Sequence, residues 1–93
     1  ETLFAAGYAA CFNGALNHVA AEEGLDTSGS TTTADVTFGK TDTGFGLAVT
    51  ITSTIPGVDA DTAQSLAEKA HAFCPYSNAT RGNIDVTVTG QPA

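Results

Sequence analysis

Basic side chains are nearly absent from this sequence. Lys and Arg together number three in 93 residues, against ten Asp and Glu, for a formal net charge of −7. Three cations cannot track a phosphate backbone or grip an anionic bilayer surface, which argues against nucleic acid and membrane as partners. Long apolar runs are missing too. The longest stretch without a charged or strongly polar residue is Leu3 to Phe12, well short of the roughly 20 residues a membrane span needs. No basic residue precedes it, the first being Lys40, so it does not read as a signal peptide. Met and Trp are absent, and Leu, Ile, Val and Phe together number nineteen. That is near the roughly one-fifth level at which a core becomes hard to build. Sixteen alanines supply the remaining bulk, and each buries little area. The expectation is one domain over residues 1–93, marginal by itself and leaning on a partner subunit or on further chain.

Cysteine is scarce as well. Cys11 and Cys74 are the two in the sequence, too few for a secreted disulfide framework. With no export signal the expected compartment is the reducing cytoplasm, and the expected state is free thiols. The exception would be a pair whose work is to form and break a disulfide.

The pattern of what is present orders the chain as helix, two strands, helix, strand. Thr2 to Glu23 is apolar on almost every face of a 3.6-residue period, which predicts a buried helix stopped at Gly24. Leu25 to Thr33 reads as a loop. Ala34 to Phe38 and Phe45 to Thr52 alternate apolar with polar residues, most simply an antiparallel hairpin. Asp59 or Asp61 can cap a second helix running to about Phe73, which Pro75 ends. Tyr76 to Gly82 reads as a loop, Ile84 to Thr89 as a third strand and Gly90 to Ala93 as a tail. Three strands do not cover so apolar a first helix, which therefore needs cover from elsewhere.

Two readings of the cysteines stand side by side. One is a pair of inert core residues, since free Cys is among the most buried residue types. The other is a peroxidatic thiol with its resolving partner, which requires a thiolate able to attack an O–O bond. Cys11 is about three turns into its helix, too far for the helix dipole to help. It needs a cation, and the one arginine, Arg81, has nothing in the sequence to aim it there. A metal site from Cys11, His18, His71 and Cys74 is the weaker idea. His71 and Cys74 share a helix face, but Cys11 and His18 are two turns apart, roughly 10 Å. Asn78-Ala79-Thr80 matches a glycosylation acceptor and, in a cytoplasmic chain, reads as a turn.

Two segments carry a resemblance. Glu1-Thr2-Leu3-Phe4-Ala5-Ala6-Gly7-Tyr8-Ala9-Ala10-Cys11-Phe12 resembles the first-cysteine helix of the organic hydroperoxide resistance (Ohr) branch of the Ohr/OsmC peroxidases. The run from His71 to Val86, with Cys74-Pro75-Tyr76-Ser77-Asn78 at its centre, resembles the second-cysteine segment of that branch. The resemblance implies an α+β fold of antiparallel strands and two long helices, intertwined as a homodimer, with this chain its C-terminal two-thirds. It implies a thiol peroxidase acting on alkyl and fatty-acid hydroperoxides. Cys11 would be the peroxidatic thiol and Cys74 the resolving one, and Glu1 would orient a catalytic arginine. An intramolecular disulfide would be recycled by dihydrolipoyl groups, usually carried on a protein, with no bound cofactor and no metal. The family's arginine lies upstream of the glutamate at which this sequence begins, so the 93 residues are expected to be part of a longer chain. Turnover by them alone is expected to be weak or nil. The rival readings are a non-catalytic binding protein on the same fold and a redox sensor that uses the disulfide as a switch.

Overall fold

A computed structural model of the chain describes residues 2–42 and 44–93. Helix α1 spans Thr2–Glu22, strand β1 Thr31–Thr41, strand β2 Gly44–Ile55, helix α2 Ala60–Phe73, the short helix α3 Pro75–Thr80 and strand β3 Asp85–Pro92. Among the described residues no helix is long and apolar enough to cross a membrane.

The three strands form one sheet in the order β1-β2-β3. β1 and β2 pair antiparallel from Thr31 opposite Thr54 to Thr41 opposite Gly44, the expected hairpin. β3, by contrast, runs parallel to β2, with Val49 beside Val86 and Ile51 beside Val88. The expectation of antiparallel strands throughout is therefore corrected. Alternation reveals which face a strand buries but not its direction. The helical connection carries the chain back across the sheet, so the next strand enters from the same end as β2.

Alternation does sort the two faces. Val36, Val49 and Val86 form one cross-strand row on the helix side, and Ala34, Ile51 and Val88 the next. The opposite face carries Thr33, Asp35, Thr37, Thr50, Asp85, Thr87 and Thr89, mostly exposed. Strands outrun their apolar pattern at three ends. Thr31–Thr33, assigned to a loop by composition, belong to β1, Thr54–Ile55 extend β2, and Gly90–Pro92, assigned to a tail, belong to β3. Backbone pairing at these ends continues past the alternating run, and at β2 it carries Ile55 into the core.

α1 stops as its sequence predicts. Gly24 is left-handed (φ 75°), its N–H donates to Ala21 and the Leu25 N–H donates back to Ala20. That pair of bonds satisfies carbonyls the helix end leaves open. α1 buries Tyr8, Phe12, Ala15, Leu16, Val19 and Ala20 against α2 and the sheet. The expectation that it is buried all round is met on one side within the described residues: Leu3, Ala6, Ala10 and Gly14 remain exposed. α2 begins at Asp59, whose carboxylate accepts from the Thr62 N–H at 2.8 Å; the Thr62 side chain, and then its backbone N–H, hold it below the usual carboxylate range.

Small residues let α2 lie close on β3. A Cβ at Gly90 would run into the backbone carbonyl of Ala63, far inside van der Waals contact. The Gly90 N–H donates to the Gln64 side-chain carbonyl at 2.9 Å, and the Gln64 amide returns a bond to the Val88 carbonyl at 3.2 Å. Gly90→Ala is expected to cost about 1–3 kcal/mol through overpacking, seen as a lower urea midpoint. Gly39→Ala, where a Cβ meets nothing within 4 Å, should change stability by less than about 0.5 kcal/mol.

Candidate active site

Proline makes the site. Pro75 has no N–H to continue α2 and disfavours a helical conformation in the residue before it. Cys74 accordingly takes φ −65°, ψ 126°. Its N–H closes α2 on the Ala70 carbonyl at 2.8 Å, while its own carbonyl accepts from the Asn78 N–H at 2.9 Å. Pro75 then stands at the first position of α3, where its fixed φ is favourable. The segment Tyr76–Gly82, expected to be a loop, thus restarts as a helix for Pro75–Thr80. A proline that ends one helix is also a good beginning for another, and the first role was the one read from the sequence.

The break carries the Cys74 side chain, fully buried, to Cys11 of α1. The two sulfurs are 3.4 Å apart, with the Cys74 thiol donating to Cys11, and both thiols are free. A disulfide needs roughly 2 Å, so a small rotation closes the gap. The 63-position separation of the cysteines conceals in the sequence what α1 and α2 packing brings together. Burial pushes the Cys74 thiol above the ordinary cysteine value, and the contact with Cys11 adds to that. The backbone N–H groups of Ser77 and Tyr76, at the opening of α3, pull in the opposite direction.

Cys11 is half-buried. Phe4 and Tyr8 precede it at i−7 and i−3, on the same face of α1. Tyr76, the residue after the proline, completes an aromatic wall with them. Its ring stacks on Phe4 at 6.2 Å and tilts against Tyr8 at 5.7 Å. Gly7 makes room for it: a Cβ there would sit 3.0 Å from the Tyr76 hydroxyl.

Beneath the wall is a set of hydrogen bonds that sequence reasoning missed. Ser77 Oγ lies 2.7 Å from the Tyr8 hydroxyl and 2.7 Å from His71 Nδ1. Thr80 Oγ1 is 3.4 Å from the same tyrosine oxygen and donates to the Ser77 carbonyl at 3.1 Å. One signal was available: a tyrosine on the apolar face of a buried helix needs a partner for its hydroxyl. His71, weighed as a metal ligand with Cys74, turns its Nδ1 to Ser77 instead. Among the described residues no three His, Cys, Asp or Glu side chains gather as a metal site. His18 is elsewhere, stacked on Phe73 at 4.5 Å and 3.6 Å from Glu22.

Arg81 is not aimed at Cys11. Its guanidinium donates to the Asn78 side chain at 2.5 Å and to the His71 carbonyl at 3.0 Å. Glu1, the expected partner of a catalytic arginine, lies outside the described residues. An open cavity of about 510 Å³ between the ends of α1 and α2, lined by Val19, Glu22, Glu23, Lys69, Ala72 and Phe73, contains neither cysteine.

An α+β layer that brings two reduced cysteines from different helices into contact defines a dithiol protein. Comparison with known proteins gives the family: residues 1–89 match the model of the OsmC-like proteins, and the chain belongs to that family. It is 52% identical over 90 residues to an organic hydroperoxide resistance protein of Xanthomonas axonopodis pv. citri. That match covers 96% of this chain and 63% of the relative, so the chain spans somewhat under two-thirds of that protein's length. Among solved structures, the organic hydroperoxide resistance protein of Elizabethkingia anophelis superposes with a TM-score of 0.94 at 52% identity, over 100% of this chain and 67% of its own. OhrB of Bacillus subtilis gives 0.91 at 45% identity, over 100% and 68%. The Ohr resemblance read from the two cysteine segments is borne out.

Burial lowers the proton affinity of His71, and the Arg81 charge adds to the effect, so its folded-state value lies below the ordinary 6.5. The unfolded chain therefore takes up this proton first as pH falls. Stability is expected to decline as pH drops through about 6.5 and to level off below the depressed folded value. Urea midpoints across that window check this. His71→Asn, which keeps a group for Ser77 but does not titrate, should flatten the decline.

Proposed function

We propose that this protein is a thiol peroxidase that reduces organic hydroperoxides to alcohols. The observation that carries the reading is the 3.4 Å separation of two free thiols, one half-buried beside an aromatic wall. The Cys11 thiolate attacks the peroxide O–O bond and takes up one oxygen, and the alkoxide leaves as the alcohol. Cys11 is oxidised by two electrons to a sulfenic acid and the peroxide is reduced by two. Cys74 then attacks the Cys11 sulfur, a disulfide forms and hydroxide leaves as water. Phe4, Tyr8 and Tyr76 suit an apolar peroxide better than hydrogen peroxide, because an alkyl chain gains by leaving water against such a wall.

The remaining parts belong to the same proposal. A dithiol of the dihydrolipoyl class returns the pair to free thiols, and the cytoplasm is the compartment in which reduced cysteines persist. Glu1 orients an arginine that supplies the cation Cys11 requires, since Arg81 is engaged elsewhere. Residues 1–93 act as one domain, paired with a second copy through the outward face of α1. Leu3, 88% exposed, with Ala6, Ala10 and Gly14 on that face, supports the pairing. Size-exclusion chromatography with light scattering should give twice the chain mass; a stable monomer contradicts the pairing.

Intact mass under non-reducing conditions tests the chemistry, before and after one equivalent of cumene hydroperoxide. A loss of two hydrogens is expected. Cys74→Ser should instead gain one oxygen, and Cys11→Ser should show neither change. With that arginine in place, dihydrolipoamide should sustain repeated turnover, which separates an enzyme from a sensor that reacts once. A wild-type mass that stays unchanged from free thiols would favour a non-catalytic binding protein.

A further inference from the structure

Two thiols in contact are a chelate as well as a redox pair, and their spacing selects what they hold. Cys11 and Cys74 are both free, and their sulfurs lie 3.4 Å apart. Donors one turn away on the same helices are already engaged. His71 Nδ1 and the Tyr8 hydroxyl each lie 2.7 Å from Ser77 Oγ. Among the described residues no three His, Cys, Asp or Glu side chains gather as a metal site. The pair is therefore a two-sulfur site. Zinc, which takes four protein ligands in structural sites and three in catalytic ones, is poorly served by it.

The 3.4 Å spacing narrows the choice among soft elements that thiols bind. An atom about 2.3 Å from each sulfur, an ordinary metal–thiolate length, sees the two at an angle of about 95°. Copper(I) held by two sulfurs prefers them in line, about 4.6 Å apart at that bond length. The sulfurs would have to part by about 1.2 Å, between helices that Ser77 Oγ fastens through Tyr8 of α1 and His71 of α2. A pyramidal trivalent centre has bond angles close to a right angle and takes the pair as it stands. Trivalent arsenic is such a centre, and it seeks thiols. Access to the pair is one-sided, since Cys74 is fully buried and Cys11 half-buried. The third substituent on arsenic therefore leaves on the Cys11 side. Phe4 and Tyr8 lie on that face of α1, with Tyr76 stacked on Phe4 at 6.2 Å. Such a wall favours an aryl or alkyl group over a hydroxyl.

We propose that Cys11 and Cys74 form a chelating site for trivalent organic arsenicals, which bridge the two sulfurs and leave their organic group against the aromatic wall. The reaction is a condensation. An organic arsenic(III) oxide exchanges its bonds to oxygen for one bond to each sulfur, and the two thiol protons leave with the oxygen as water. Arsenic stays trivalent and neither sulfur is oxidised, so no oxidant or reductant enters. Neutral thiols suffice, and the burial that pushes the Cys74 thiol up is no obstacle. Cys11, the accessible sulfur, bonds first. The second bond is then intramolecular and gains from the high local concentration of a tethered partner. Binding needs the reduced pair and does not rest on the peroxidase reading. Under that reading the adduct occupies both the attacking and the resolving sulfur, so it blocks turnover.

Phenylarsine oxide is the probe. One equivalent added to the reduced chain should give a single adduct by intact mass, with both thiols lost to a colorimetric thiol assay. X-ray absorption at the arsenic edge should find two sulfur neighbours, a reading that needs no variant. Excess glutathione should leave the adduct in place, and excess dithiothreitol should strip it. Against glutathione, Cys11→Ser and Cys74→Ser should each retain the arsenical about a hundredfold less well. A chain oxidised to the disulfide with diamide should take up none. Tyr76→Ala should weaken retention of phenylarsine oxide while leaving that of arsenite unchanged. One sulfur neighbour in the wild type, or single-cysteine variants that hold the probe as firmly, overturns the proposal. Equal retention of phenylarsine oxide in Tyr76→Ala and the wild type overturns the placing of the organic group. An adduct on a chain that ignores cumene hydroperoxide sinks the peroxidase reading and leaves the chelate standing. Peroxide consumption without a two-sulfur adduct does the reverse.

Discussion

A single imino ring governs the arrangement of the site. Pro75 cannot donate a backbone hydrogen bond and will not let Cys74 stay helical, so the chain must break between α2 and α3. The break occurs inside the protein, where unpaired backbone groups are costly. It is tolerated because the Cys74 N–H and carbonyl still find partners in the helices on either side. What the break yields is direction. A cysteine one turn earlier, inside regular helix, would follow the course of α2. At the kink its sulfur reaches Cys11 of α1.

The same economy shows in how α1 is held. Alanine supplies five of the fourteen buried apolar residues among those described, which leaves fewer large side chains to key a helix into one register. Hydrogen bonds supplement them. Asn13 of α1 accepts from Ser30 at 3.1 Å and from Thr32 of β1 at 3.0 Å, and Thr32 meets the buried Ser53 of β2 at 2.9 Å. Asn17 accepts from Thr27 at 2.6 Å. At the other end Tyr8 reaches Ser77 and Thr80. Fixed at both ends by directional bonds, α1 cannot slide, and Cys11, lying between the two anchorages, is held opposite Cys74. The exposed Lys69–Glu23 pair at 2.6 Å adds little to this, as surface ion pairs are screened by water.

Sequence and structure agree where a residue type has one strong physical consequence. Gly24 stops α1, Asp59 caps α2 and Pro75 ends it, each through its own backbone or side-chain chemistry. The hairpin of β1 and β2 was legible because alternation and turn residues coincide there. Strand direction was not, because Val86 and Val88 point to the core in either orientation. α3 was hidden by Ser77, Asn78 and Thr80, which look like loop residues and here serve as donors and acceptors in a helix too short to show a period. The cysteines were legible as a pair only through the resemblance of their flanking segments. Ser77 was invisible as a hub because its partners are 69 residues away at Tyr8 and six at His71, spacings that no local rule connects.

The positions of the two cysteines also bear on how the fold resists unravelling. They stand 63 positions apart, and the stretch between them includes both strands of the hairpin and all of α2. On a chain-entropy account, joining the ends of such a loop removes about 4 kcal/mol of freedom from the unfolded ensemble. That is a large share of what a domain of this size commands. Oxidation of the pair therefore acts on more than two sulfurs. The effect lies in the unfolded ensemble: a chain joined at Cys11 and Cys74 would have fewer states to lose on folding, so it would resist unravelling more strongly than the chain with free thiols.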